Sequence, residues 1–259
     1  LAPFGDWVEQ LLAESTGKQG KGVVPIVGEP LVEPAAYGGD RTFVHLHGSN
    51  DGSQRGFVDR LTAAGHPCIV LDAGDPMDLG AEMFRWEFAT AVAGSILGIN
   101  AFDQPDVEAA KRAGREILGG RPDLSFPDED PAAFFRDAAP GELAALLAFA
   151  PMTEERRRTI AQLRERLASR GIATLSGFGP RYLHSTGQLL KGGPPGVRAL
   201  VVLDEPEIDE PIPGSEHGFG RLVTAQALGD ARAMAGAGRV VVTCSWSTLA
   251  RYAGEEMRS

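Results

Sequence analysis

Three stretches of this sequence gather side chains that can move protons or hold hydroxylated and anionic ligands. The first is LLAESTGKQGKG (11–22), in which Glu14 closes an amphipathic run and is followed by Ser15, Thr16, Lys18 and several glycines. A carboxylate at a helix C-terminus is disfavoured by the helix dipole. Its presence there admits two readings, a general base with polar support or a solvated helix end. The loop's backbone N–H groups are expected to be able to cradle an anion, although the spacing does not fit the GxxxxGK[ST] nucleotide loop.

The second stretch is INAFDQPDVEAAK (99–111), where the chain turns around Asn100, Asp103 and Gln104 and then enters a helix at Pro105, with Asp103 as its expected cap. Lys111 lies about two turns further on, on the face shared with Asp103, Gln104 and Val107. A capped helix with an exposed lysine is the plainer alternative. The third is GFGPRYLHSTGQLLKGG (177–193): a strand ends in glycines, and a helix is expected to carry Tyr182, His184 and Gln188, with Arg181, Ser185 and Lys191 crowded alongside. His45 and His47 alternate onto one face of a strand, a spacing that can chelate a metal, but no acidic or cysteine cluster accompanies them and no metal site is expected. His66 and His217 fall in turns.

The elements that must position these residues follow from periodicity. Helices are expected over 6–14, 53–65, 79–97, 153–171 and 218–235, and strands over 23–27, 42–48, 66–74, 143–150, 172–180, 197–205 and 239–246. Strands alternating with helices imply crossover units and a parallel sheet covered on both faces, an α/β fold with three layers. The 79–97 helix is apolar almost all round, with Ala89, Ala91, Val92, Ala93, Ile96 and Leu97, and is expected to be largely buried. Residues 119–140 hold four prolines and many acids and divide two α/β blocks, 1–118 and 141–259.

The chain of 259 residues has a formal net charge of −10, which argues against a nucleic-acid or anionic-membrane partner, since both need clustered Lys and Arg. Cys68 and Cys244 sit in apolar runs without metal or redox spacing and read as buried thiols in a reducing compartment. No apolar run reaches the roughly 18 residues of a membrane span, and the first residues lack a signal-peptide pattern. A cytoplasmic location is expected.

At these residues the chain resembles phosphoglucose isomerases, of the sugar isomerase (SIS) superfamily. ESTGK (14–18) is similar to the segment that carries the family's catalytic base, and INAFDQPDVEAAK closely resembles its C-terminal signature. RYLHSTGQLLKGGP (181–194) and FRWEFATAVAG (84–94) further resemble the branch in which the isomerase is fused behind a transaldolase domain. The resemblance implies an SIS-like parallel sheet and cofactor-free interconversion of hexose 6-phosphates through a cis-enediolate. Glu14 would be the base, Lys111 the group for ring opening or oxyanion stabilisation, and Gln104 a substrate contact. The family's ring-opening histidine normally lies between base and lysine, where only His45, His47 and His66 occur, none in a matching context. His184 is the expected replacement, with Lys18, Arg181, Ser185 and Gln188 as further substrate contacts.

Asp106 and Ala101 depart from the usual signature without removing a catalytic group. The family's phosphate-binding segments, normally N-terminal to the base, are not found. The chain therefore reads as the base-carrying part of a longer enzyme whose N-terminal half or transaldolase domain is missing, and which is expected to act as a homodimer. A non-catalytic sugar-phosphate-binding regulatory or structural SIS domain is the alternative.

Overall fold

A computed structural model describes residues 2–48, 52–75, 77–120, 124–205 and 208–256, with side chains described except at 2, 52–53, 106–111, 120 and 256. The second half is built on a parallel sheet of four strands, β3 (Leu143–Phe149), β4 (Ala173–Phe178), β5 (Val197–Leu203) and β6 (Val240–Ser245), in the order β4-β3-β5-β6. All seven residues of β3, LAALLAF, are buried. An unbroken apolar run is what a central parallel strand covered on both faces requires.

One face of this sheet presents Ala144, Leu146, Ala148, Leu200 and Val202 to α5 (Ala132–Asp137), α6 (Glu154–Ala168) and α9 (Trp246–Glu256). The other presents Ala145, Leu147, Phe149, Ala199 and Val201 to α7 (Gly187–Gly192) and α8 (Phe219–Gly236), with Tyr182 of a 3-10 turn (Arg181–His184) beside them. Helices on both faces of a parallel sheet make the three-layer α/β arrangement read from the sequence.

The first half comprises α1 (Ala2–Thr16), a two-stranded parallel sheet of β1 (Phe43–His47) and β2 (Cys68–Asp72), and the helices α2 (Gly52–Ala63), α3 (Asp78–Leu97) and α4 (Pro105–Gly120). It is joined to the second half by close helix packing. α1 lies on α7, and α4 crosses α8, where Ile117 packs with Ala225 and Leu228. At that crossing the backbones nearly touch: a Cβ added at Gly229 would sit 2.9 Å from the Gly114 nitrogen.

Several expectations are corrected here. VVPIV (23–27) is extended but joins no ladder, in keeping with Pro25, which has no N–H to donate. Side chains hold this segment instead: the Arg164 guanidinium donates to the Val27 and Gly28 carbonyls, and Glu29 accepts from Thr174 N at 2.7 Å at the edge of the sheet. α3 is not largely buried. Its inward row at fourfold spacing is Glu82, Trp86, Thr90 and Gly94, whereas Phe84, Phe88, Val92 and Ile96 point outward, with Phe84 69% and Ile96 80% exposed. Apolar content marks a face to be covered, but among the described residues α1 is the element that packs extensively on α3. Among the described residues no helix is long and apolar enough to cross a membrane, and Cys244 is buried while Cys68 is partly so.

The α4–α8 crossing predicts that Gly229→Val lowers stability by about 1–3 kcal/mol or more through backbone overpacking. Urea unfolding of the full chain, with Gly236→Val on the open end of the same helix as control, measures the difference.

Candidate active site

α1 ends at Thr16, whose hydroxyl donates to the Leu12 carbonyl at 2.7 Å and accepts from Val23 N at 3.0 Å, closing the 17–22 loop. Inside the loop Lys18 N donates to Lys21 O, Lys21 N donates to Lys18 O, and Gly20 N donates to Gly192 O. These amides are spent on protein carbonyls, which corrects the reading of the loop as an anion cradle. Gly17 rests directly on α7, since a Cβ there would fall 2.4 Å from the Leu189 Cα. The buried Gln188 amide donates to Gly17 O at 2.8 Å and fixes the same contact.

The loop is also bound to the signature turn. The Lys18 ammonium, with its side chain 2% exposed, donates to Asn100 O at 2.7 Å and pairs with Asp103 Oδ1 at 3.1 Å. Asn100 Nδ2 donates to Asp103 Oδ2, and Asn100 Oδ1 accepts from Phe102 N, so the turn is organised from within. Lys21 donates to Leu97 O at the C-terminal end of α3, where a cation suits the helix dipole. Gln104 is exposed. Lys111 lies in the second turn of α4, but its side chain falls outside the described residues.

Glu14 occupies the last turn of α1, half-buried, 3.4 Å from the Gln10 amide that donates to it. Burial raises its carboxyl pKa above the ordinary value, against the opposing effects of the Gln10 hydrogen bond, His184 and Lys18. His184 is exposed and comes from the 3-10 turn that follows β4. The single helix expected to carry Tyr182, His184 and Gln188 is in fact two pieces, the turn and α7, separated at Ser185 and Thr186. Three residues per turn place Arg181 and His184 on the same side. Arg181 is exposed, and Ser185 is half-buried with its hydroxyl donating to Tyr182 O.

The structure therefore joins Glu14, Lys18, Asp103, His184 and Gln188 into one neighbourhood, with Lys18 and Gln188 engaged by protein groups. A cleft of about 960 Å³ lies elsewhere, between the 22–31 segment, β1, α2 and the start of β3 and β5, and none of Glu14, Lys18, Asp103 or His184 lines it. Its lining is mainly aliphatic and aromatic, with Glu29, Asp40, Arg41, His45 and Glu142 among its polar members. His45 and His47 have ring centroids 6.1 Å apart, and among the described residues no group of three metal-ligating side chains forms.

Two acids escaped the sequence reading. Glu9, on α1, has its carboxyl pKa pushed up to about 7, first by burial and then by Asp6, with Arg164, the Val27 amide and Arg181 pulling the other way. Asp230 is buried on α8 between Lys191 and Tyr182. Only a lone acid in the apolar run AQALGDARAM hinted at it.

Comparison with known proteins places this geometry in context. The chain is 30% identical over 158 residues to a probable glucose-6-phosphate isomerase of Natronomonas pharaonis, 46% of this chain and 36% of that protein. It is 32% identical over 155 residues to the glucose-6-phosphate isomerase of Clostridium tetani, 45% of this chain and 34% of that protein. These matches support the phosphoglucose isomerase family. The corresponding enzyme of Leptospira interrogans is 28% identical over 150 residues, 43% and 34% of the two chains. The chain thus spans about a third of the length of the curated relatives it matches. No family model and no solved structure matches it.

Because the Glu9 pKa rises on folding from 4.5 to about 7, the native state binds the extra proton between those values, and stability falls as pH rises through that window. Glu9→Gln is expected to stabilise the protein at pH 8 by about 1–3 kcal/mol, an advantage that vanishes below pH 4.5 or so. Thermal or urea unfolding from pH 4 to 8 reads it out.

Proposed function

We propose that this chain carries the base side of an aldose–ketose isomerase site acting on glucose 6-phosphate and fructose 6-phosphate. The observation that carries the reading is the Lys18 bridge: one buried ammonium ties the Glu14 loop to the Asn100–Asp103 turn, two segments 82 residues apart that each resemble an isomerase motif. The names of the relatives support the same activity.

In this reading Glu14 takes the proton from C2 of the ring-opened aldose and returns it to C1 of the cis-enediolate. A carboxyl group whose pKa is raised by burial is suited to both halves of that transfer, because it is a stronger base and still reprotonates readily. Lys111 assists ring opening or stabilises the oxyanion, and Gln104, exposed on the turn, contacts sugar hydroxyls. His184, whose charge acts on Glu14, serves ring opening. Arg181 and Ser185 line the substrate side. Lys18 and Gln188 act as positioning residues, since both are buried against protein carbonyls.

The outward row Phe84, Phe88, Val92 and Ile96 on α3 supports a site completed by further protein, because contiguous exposed apolar surface marks an interaction face. We assign that face to the remaining polypeptide of an isomerase-length chain, which would supply the phosphate pocket, in a homodimer.

In the complete polypeptide, Glu14→Gln is expected to lower kcat by about 10²–10⁴-fold while leaving the circular dichroism spectrum and KM nearly unchanged. Near-normal turnover would remove the assignment of the base. Sugar-phosphate binding without turnover in the parent protein would establish the regulatory alternative instead. For Lys111→Ala, a loss confined to ring-closed substrate assigns it to ring opening, and an equal loss on open-chain substrate assigns it to the oxyanion.

A further inference from the structure

Beneath the candidate site lies a polar cluster that the proposed chemistry does not use. Asp230, 1% exposed on α8, takes the Lys191 ammonium on Oδ1 at 2.6 Å and the Tyr182 hydroxyl on Oδ2 at 2.6 Å. Lys191 also donates to Gly187 O at 2.8 Å, so the pair spans α7 as well. Tyr182 is held at both ends. Its ring meets Phe149 edge-on at 5.5 Å, and its carbonyl accepts from Ser185 N and Thr186 N. A Cβ on Gly177 would lie 2.6 Å from the Tyr182 Cβ, so the bare strand backbone leaves the slot for this residue.

The 3-10 geometry gives this anchoring a direction. With three residues per turn, residues 181 and 184 share one side and residue 182 faces another. With Tyr182 drawn inward to Asp230, Arg181 and His184 share the exposed side of the turn, which leads directly into α7, the helix on which the end of α1 rests at Gly17. The electrostatic influence of His184 on Glu14 and of Arg181 on Glu9 agrees with that orientation. An apolar filler at 230 would stabilise the fold as well as a buried ion pair does. What a hydrogen-bonded carboxylate adds is a fixed rotation of the turn.

We propose that Asp230, acting through Tyr182, is a positioning residue that sets His184 against Glu14. Its use in catalysis rests on the isomerase reading, but the positioning itself does not. The test follows the Glu14 carboxyl by carbon NMR titration of the full chain, assigned by loss of the signal in Glu14→Gln. The groups facing Glu14 are Gln10 on its own helix, Lys18 from the loop and His184 from the turn. Removing His184 (His184→Gln) should raise the Glu14 pKa, because His184 favours the charged carboxylate.

Tyr182→Phe keeps the ring and deletes only the hydroxyl. It should reproduce at least half of that rise, and adding His184→Gln in the Tyr182→Phe background should then produce less than half of its usual effect. A merely structural Tyr182 would lower stability and leave the Glu14 titration where the parent protein has it. That result, or a His184→Gln variant that does not move Glu14, overturns the proposal. Asp230→Asn leaves Lys191 buried without its counter-charge and is prone to misfold, so Asp230→Leu with Lys191→Met serves as the second variant and should match Tyr182→Phe. Because the readout needs no turnover, an inactive complete polypeptide would count against the isomerase reading alone.

Discussion

The arrangement depends on one ammonium group withdrawn from water. Lys18 has its side chain 2% exposed, and an amine so placed costs several kcal/mol unless its charge and its donors are met. Asn100 O and the Asp103 carboxylate meet them, and both belong to a turn 82 residues further along the chain. The cost of leaving Lys18 unpaired therefore becomes a constraint on distance between two loops that share no strand. Glu14 lies four residues before Lys18, in the last turn of α1, so the same contact that relieves the lysine fixes the end of α1 against the entrance to α4.

The end of α1 is also set by α7, on which Gly17 rests and which cannot hold itself. Six residues are too few for a helix to persist alone, since most of its backbone hydrogen bonds would be end groups. The C-terminal carbonyls of α7 are instead met by Arg239, whose guanidinium donates to Leu190, Lys191, Gly193 and Pro194. Arg164 does the same for the 27–28 segment, and Arg170 for the end of α5. Planar guanidinium groups with five donors suit irregular backbone that has no ladder to join. The four-stranded sheet supplies the rigid platform, and arginines fasten the irregular site-bearing pieces to it.

Periodicity revealed the sheet strands and the long helices because each buries a stripe or a whole run of apolar side chains. It missed α5 and α9: Phe134 and Phe135 sit among prolines and acids that read as a boundary, although their rings are buried in the sheet core. It misjudged α3 because apolar content shows that a helix wants a cover without showing which element provides it. In the candidate site the residue types were legible and the partners were not. Lys18 stands four residues from Glu14 and Gln188 was linked to it only through the family resemblance, but a cation and an amide facing protein carbonyls look the same in sequence as ones facing a sugar. Glu9 and Asp230 were invisible for the complementary reason: each owes its significance to what another element packs against it.

The same accounting of charge bears on where a phosphorylated substrate would lie. Near Glu14, Lys18 is neutralised by Asp103, Lys191 by Asp230, and Lys21 is turned onto the end of α3. Arg181 is an exposed cation of the neighbouring turn, and it already feels Glu9. A phosphate dianion drawn close to this cluster would raise the Glu14 pKa further by like-charge repulsion, holding the base protonated when it must accept a proton. A carboxylate base therefore works best when the phosphate is held several ångströms away on another wall, with only the carbon skeleton reaching it. Under the proposed reading, Lys18, Lys21 and Lys191 are committed to protein partners, so this wall of a chain of net charge −10 contributes the base, and attraction of the phosphate is left to the other.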